Sequence, residues 1–152
     1  MKKVINKIRF CVLAFITFVA IALNIGTISS FLLDPNGKEI ERMLVTQSEN
    51  VMFPDSYQQA RKIYSDRGGI HSLRLLYRSD YPIKEDELIK SLNEIGFQIK
   101  HRRVVTTTKY TNNEIVLESN NYACIVTITD EKNFSLTFYY KTPIERIFGA
   151  RY

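Results

Sequence analysis

The sequence predicts an α+β domain behind a membrane-directing helix, and three observations carry that prediction. The first is a stretch of 24 residues, Phe10 to Leu33, without a single charged side chain. The second is helical spacing of apolar residues between Gly37 and Gly96, interrupted by one alternating segment. The third is the alternating, β-branched character of nearly everything from Phe97 to Lys141, with short polar turns between the runs. The predicted order after the N-terminal helix is ααβαββββα, an antiparallel sheet with helices packed on one face.

The N-terminal segment is set by charge and length. Met1 to Arg9 is basic, and the 24 residues that follow would reach roughly 36 Å as a helix at about 1.5 Å per residue. A bilayer core of about 30 Å needs around 20 residues, and in lipid only a helix satisfies the backbone of a single span. Four basic residues precede the span, whereas Lys38 and Arg42 are the only two in the fifteen after it. The positive-inside rule therefore expects the N-terminus in the cytoplasm and the rest of the chain outside it. The lysine-rich, short N-terminus fits a bacterial inner membrane. Cleavage after the small residues Thr27 or Ser29 is the alternative to a permanent anchor. Ile28, Phe31, Leu32 and Leu33 resume the apolar run and argue for the anchor. Residues 1–33 are thus expected as anchor or signal, and 34–152 as the extracytoplasmic domain.

Asp34-Pro35-Asn36-Gly37 is a turn cluster at the boundary. Asn36 is placed to cap a helix with Glu39 three residues on, and Ile40, Met43, Leu44 and Gln47 mark its face. A second helix is expected after Pro54, capped by Asp55 or Ser56. Tyr57, Ala60, Ile63 and Tyr64 would form its stripe, and Gly68-Gly69 would stop it. Leu73, Leu75 and Tyr77 then alternate with Arg74, Leu76 and Arg78, as in a half-buried strand. Glu85, Asp86 and Glu87 open a helix where negative charge suits the dipole. Leu88, Ile89, Leu92 and Ile95 give its apolar face and Gly96 ends it. Strands follow over 97–110, 114–119, 122–129 and 134–141, with turns at Thr111–Asn113, Asn120-Asn121 and Asp130–Asn133. Thr142-Pro143-Ile144-Glu145 reads as a capping box that starts a short final helix.

Charge excludes one class of partner. Of 21 basic residues, Lys2, Lys3, Lys7 and Arg9 precede the apolar segment, which leaves 17 against 16 acidic side chains and a net of +1 for the domain. A nearly neutral domain has no overall field to gather a nucleic acid. The cysteines give no disulfide within the domain, because Cys11 lies in the apolar segment and leaves Cys124 alone.

The chemistry-bearing constellations are few. His71 and His101 both fall in expected strands, and Cys124 shares an apolar face with Tyr122, Val126 and Ile128, which reads as a small buried thiol. No metal-binding or redox spacing occurs, and no cofactor or small-molecule substrate is indicated. Arg67-Gly68-Gly69 lacks the Lys-Ser/Thr that follows the glycines of a phosphate loop. The Asn133-Phe134-Ser135 sequon matters only in a eukaryotic secretory pathway.

The surface feature that stands out is Lys100-His101-Arg102-Arg103, four consecutive basic residues expected beside Arg74 and Arg78 if those strands pair. Such a strand either discourages aggregation at a sheet edge or docks an acidic protein or anionic lipid. The expected function is a non-enzymatic, membrane-tethered interaction or assembly protein of the bacterial envelope, held by residues 10–33. It would dock a protein partner, acidic where it meets the patch, through its sheet or basic strand. A small envelope hydrolase using His71 or His101, and a membrane-anchored immunity protein that neutralises a toxin, are the alternatives.

Overall fold

The computed structural model describes residues 11–21, 36–67, 70–106, 111–142 and 145–146. The chain divides into two compact units, Met1–Asp34 and Pro35–Tyr152. In the first, residues 11–21 are helical. Their large apolar side chains are exposed, Leu13 at 69%, Phe15 at 67% and Phe18 at 70%. The remainder of the apolar span lies outside the described residues, and no described helix is long and apolar enough to cross a membrane.

The second unit is an α+β fold. Helix α1 (Gly37–Glu49) is followed by β1 (Tyr57–Arg67), β2 (Ile70–Ser79), α2 (Glu85–Glu94), β3 (Gln98–Thr106), β4 (Thr111–Glu118), β5 (Tyr122–Ile128) and β6 (Asn133–Tyr140). The six strands form one sheet in the order β1-β2-β6-β5-β4-β3, and every neighbouring pair is antiparallel.

Local chemistry accounts for the helix ends. The Asn36 side-chain oxygen accepts from Glu39 N at 3.0 Å, which caps α1 as expected. Gly96 has φ +89° and closes α2. Phe97 N donates to Leu92 O at 3.1 Å and Gly96 N to Asn93 O at 2.9 Å, the paired bonds that a left-handed glycine permits. The Thr142 capping box is present as well: Glu145 N donates to Thr142 Oγ1 at 3.3 Å, and Thr142 N donates to Glu145 Oε2 at 2.9 Å. The rest of the expected final helix lies outside the described residues.

The core lies between the helices and one sheet face. Ile40 and Leu44 of α1 and Leu88, Ile89 and Leu92 of α2 pack with Leu73, Leu75, Tyr77, Ile115, Leu117, Cys124, Val126, Phe134, Leu136 and Phe138. The alternation seen in β2, β5 and β6 is therefore the core pattern.

Two expectations are corrected. Residues 57–67 form strand β1, not a helix. The register of β1 shifts between Gln59 and Arg61, so an extra residue is inserted and the face parity reverses. That bulge puts Tyr57 and Tyr64, seven residues apart, opposite Ser79 and Leu73 on the same face. An i, i+7 spacing produced by a bulge imitates a helical stripe. Residues 111–113, expected as a turn, belong to β4, with Thr111 opposite Thr106 and Asn113 opposite Val104. The connection falls earlier, at 107–110, outside the described residues.

Candidate functional site: the open face of the sheet

The sheet face opposite α1 and α2 is strongly curved. Across six strands spaced about 4.8 Å apart, a flat sheet would hold its edges roughly 24 Å from one another. Yet Ala60 of β1 and Val105 of β3, from the two edge strands, line one cavity of about 350 Å³. Val116, Ala123, Ile125, Ser135 and Thr137 all fall on this face by register and are all buried. Their burial, together with the cavity shared by the two edge strands, makes this face a recess among the described residues.

The recess is polar and unevenly charged. Arg74 donates from Nε to Thr137 Oγ1 at 3.2 Å. Leu76, opposite Arg61, lies between Arg74 and Arg78 on the same side of β2. Arg61, Arg74 and Arg78 are exposed, and among the described residues none has a carboxylate within 4.0 Å. Across the recess, Arg103 Nε lies 2.8 Å from Glu114 Oε2. Burial pushes the Tyr139 hydroxyl above its ordinary pKa, with Arg74 and Arg103 opposing and Glu114 adding to the shift. Arg74 and Arg103 thus act on one phenol from strands that are not neighbours. The side-chain oxygen of Asn112, on the same lining, is buried with no hydrogen-bond donor.

The basic strand is less free than its sequence suggests. Lys100 Nζ lies 2.5 Å from Glu118 Oε1, and Arg102 Nη2 lies 3.0 Å from Glu85 Oε1 at the start of α2. Arg102 pairs with Ile115 and so faces the helices, while His101 and Arg103 pair with Val116 and Glu114 on the open face. The expected pairing of this strand with β2 does not occur, because β6, β5 and β4 stand between them. Curvature, not strand pairing, relates Arg103 to Arg74. Glu85-Asp86-Glu87 occupies the first turn of α2, with Glu87 bound to Lys84 Nζ at 2.8 Å.

The other reactive residues have local roles. His71 is half-buried, its Nδ1 2.9 Å from the Tyr64 hydroxyl and 3.7 Å from Asp66 Oδ1. The same hydroxyl donates to Gly37 O at 3.2 Å, so the group ties α1 to the β1–β2 hairpin. His101 is exposed on the edge strand. Cys124 is fully buried, and burial alone pushes its thiol far above the ordinary range. No cluster of three metal-binding side chains occurs among the described residues.

Three contributors to the recess escape sequence reading. Arg61 sits on the segment expected to be helical, Asn112 on one expected to turn, and Tyr139 has nothing in its neighbours to mark it. Searches against protein-family models, characterised proteins and solved structures gave no match for this chain.

Proposed function

We propose that the chain is a membrane-tethered, non-enzymatic docking protein of the bacterial envelope whose domain lies outside the cytoplasm and engages a protein partner through its sheet. The observation that carries this reading is the recessed open face with Arg61, Arg74 and Arg78 on its β1–β2 side. Arginines that hold no carboxylate among the described residues, set beside a polar cleft, suit recognition of an acidic surface. The described part of the N-terminal segment supports the tether, since residues 11–21 form a helix that exposes apolar side chains. Within that helix Thr17 donates its hydroxyl to Leu13 O at 2.9 Å, which satisfies the side chain without water and so is compatible with lipid. Tethering confines domain and partner to one membrane and raises their effective concentration.

The test is crosslinking in intact membranes followed by identification of what is captured. Neutral substitutions are preferred to charge reversal, because glutamate at Lys100, Arg102 or Arg103 would face Glu118, Glu85 or Glu114 and strain the fold. Arg74→Gln with Arg78→Gln should abolish capture, and Lys100→Gln with Arg102→Gln should leave much of it. Capture that is indifferent to both pairs contradicts docking through the sheet. Orientation is checked by protease treatment of spheroplasts, which should remove a C-terminal tag.

A further inference from the structure

We propose that the cleft on the open face receives an extended, carboxylate-bearing segment of the partner, with Arg74 gripping a carboxylate and the Asn112 oxygen accepting a backbone N–H. This rests on the docking reading and gives it a place and a chemistry.

Arg74 is the anchor because its one hydrogen bond, from Nε to Thr137, fixes the guanidinium plane. Its terminal nitrogens remain available, and they form a fork that matches both oxygens of a carboxylate. Lys100, Arg102 and Arg103 already hold carboxylates within 3.0 Å. The unmet positive charge of this domain face therefore gathers on the β1–β2 side. Arg61 and Arg78, flanking Leu76, add to the potential that draws an acidic segment in.

Asn112 decides between a peptide and a membrane. A buried acceptor without a donor is costly, and a ligand that brings an N–H relieves it. A peptide backbone brings an N–H at every residue in a fixed repeat, whereas a phosphate dianion brings no donor and a phosphatidylglycerol headgroup only its two flexible glycerol hydroxyls. Shape agrees, since a planar bilayer surface cannot enter a cleft whose lining runs from Ala60 on one edge strand to Val105 on the other. A cavity of about 350 Å³ suits a short extended stretch of chain.

The experiment uses the full chain in nanodiscs of phosphatidylcholine, with fluorescence anisotropy of a labelled peptide of alternating glycine and glutamate as the readout. Arg74→Gln should weaken binding at least tenfold, Arg78→Gln two- to threefold, and Lys90→Gln on α2 not at all. A probe with esters replacing its amides should bind the native chain more weakly, and Asn112→Val should erase the difference between the two probes. Thermal midpoints of the variants identify any that fail to fold, and Arg78→Gln and Asn112→Val then carry the test. Equal binding by native chain and Arg74→Gln overturns the proposal. So does Arg74-dependent binding of phosphatidylglycerol vesicles without binding of the peptide. If a photo-crosslinker at His101, exposed on the open face outside the cleft lining, captures the partner while the peptide fails, the cleft is wrong and sheet docking stands. If no position on the sheet captures a partner, the docking reading falls with it.

Discussion

Replacing Glu118 by glutamine should cost the domain about 2 kcal/mol, and the reasoning runs through one buried lysine. The Lys141 side chain is 8% exposed, and its Nζ has Glu118 Oε2 at 3.4 Å as its carboxylate partner. Removing one member of a fully buried pair costs about 3–5 kcal/mol, because the other charge stays behind uncompensated. Glu118 is 21% exposed, its contact to Lys141 is long, and glutamine keeps an acceptor, which together bring the figure toward the lower end or below it. Lys100, 41% exposed, adds at most about 1 kcal/mol. Lys141→Met should be milder, since it removes the buried charge and leaves Glu118 its bond to Lys100. Urea unfolding followed by tyrosine fluorescence measures both, the chain having nine tyrosines and no tryptophan. The pH dependence has a definite sign. Burial raises the Glu118 pKa, the bonds from Lys100 and Lys141 more than offset it, and the net shift is downward. The stabilisation is therefore complete above the unfolded value of about 4.3 and is lost as pH falls through the lower folded value. The native chain and Glu118→Gln should converge in that acid range. A loss below about 0.5 kcal/mol at neutral pH, or a Lys141→Met variant as damaged as Glu118→Gln, refutes the reasoning.

Other consequences are checked by the same unfolding measurements. Asn36→Ala should destabilise by about 1 kcal/mol through loss of the α1 cap, and Asn36→Asp should not. Phe138→Ala, which empties a fully buried site in the sheet core, should cost about 3–5 kcal/mol. Gly96→Ala should cost about 1 kcal/mol, because open space surrounds the position and the penalty is the positive φ alone. In a Cys11→Ser background, Cys124 should resist maleimide in the folded chain and react on unfolding, since its thiol is buried and held protonated.

What sequence reading recovers and misses follows from how far each feature depends on distant contacts. The α1 cap, the α2 acidic first turn, the glycine stop at Gly96 and the Thr142 capping box are local, and each appears as read. The alternation of Leu73, Leu75 and Tyr77 and of Phe134, Leu136 and Phe138 is also local, and it identifies the core face. Strand β1 was hidden because its bulge spaces Tyr57 and Tyr64 as a helix would, and only pairing with β2 makes the segment extended. The recess was hidden for a related reason. Strand order and curvature place Arg74 and Arg103 around Tyr139, and no spacing along the chain encodes that. The basic run Lys100–Arg103 is conspicuous in sequence, yet Glu118, Glu85 and Glu114 neutralise most of it from elements that only the fold brings near.

Docking on the open sheet face, as proposed above, is open to a direct test. Site-specific photo-crosslinking in intact membranes tests it, with the photoreactive residue placed in turn at Leu76 on that face and at Lys90 on α2. One protein should crosslink from Leu76, be absent from Lys90, and be lost when Arg74→Gln is added. Crosslinks from Lys90 alone, or crosslinks from Leu76 that persist unchanged with Arg74→Gln, would contradict it.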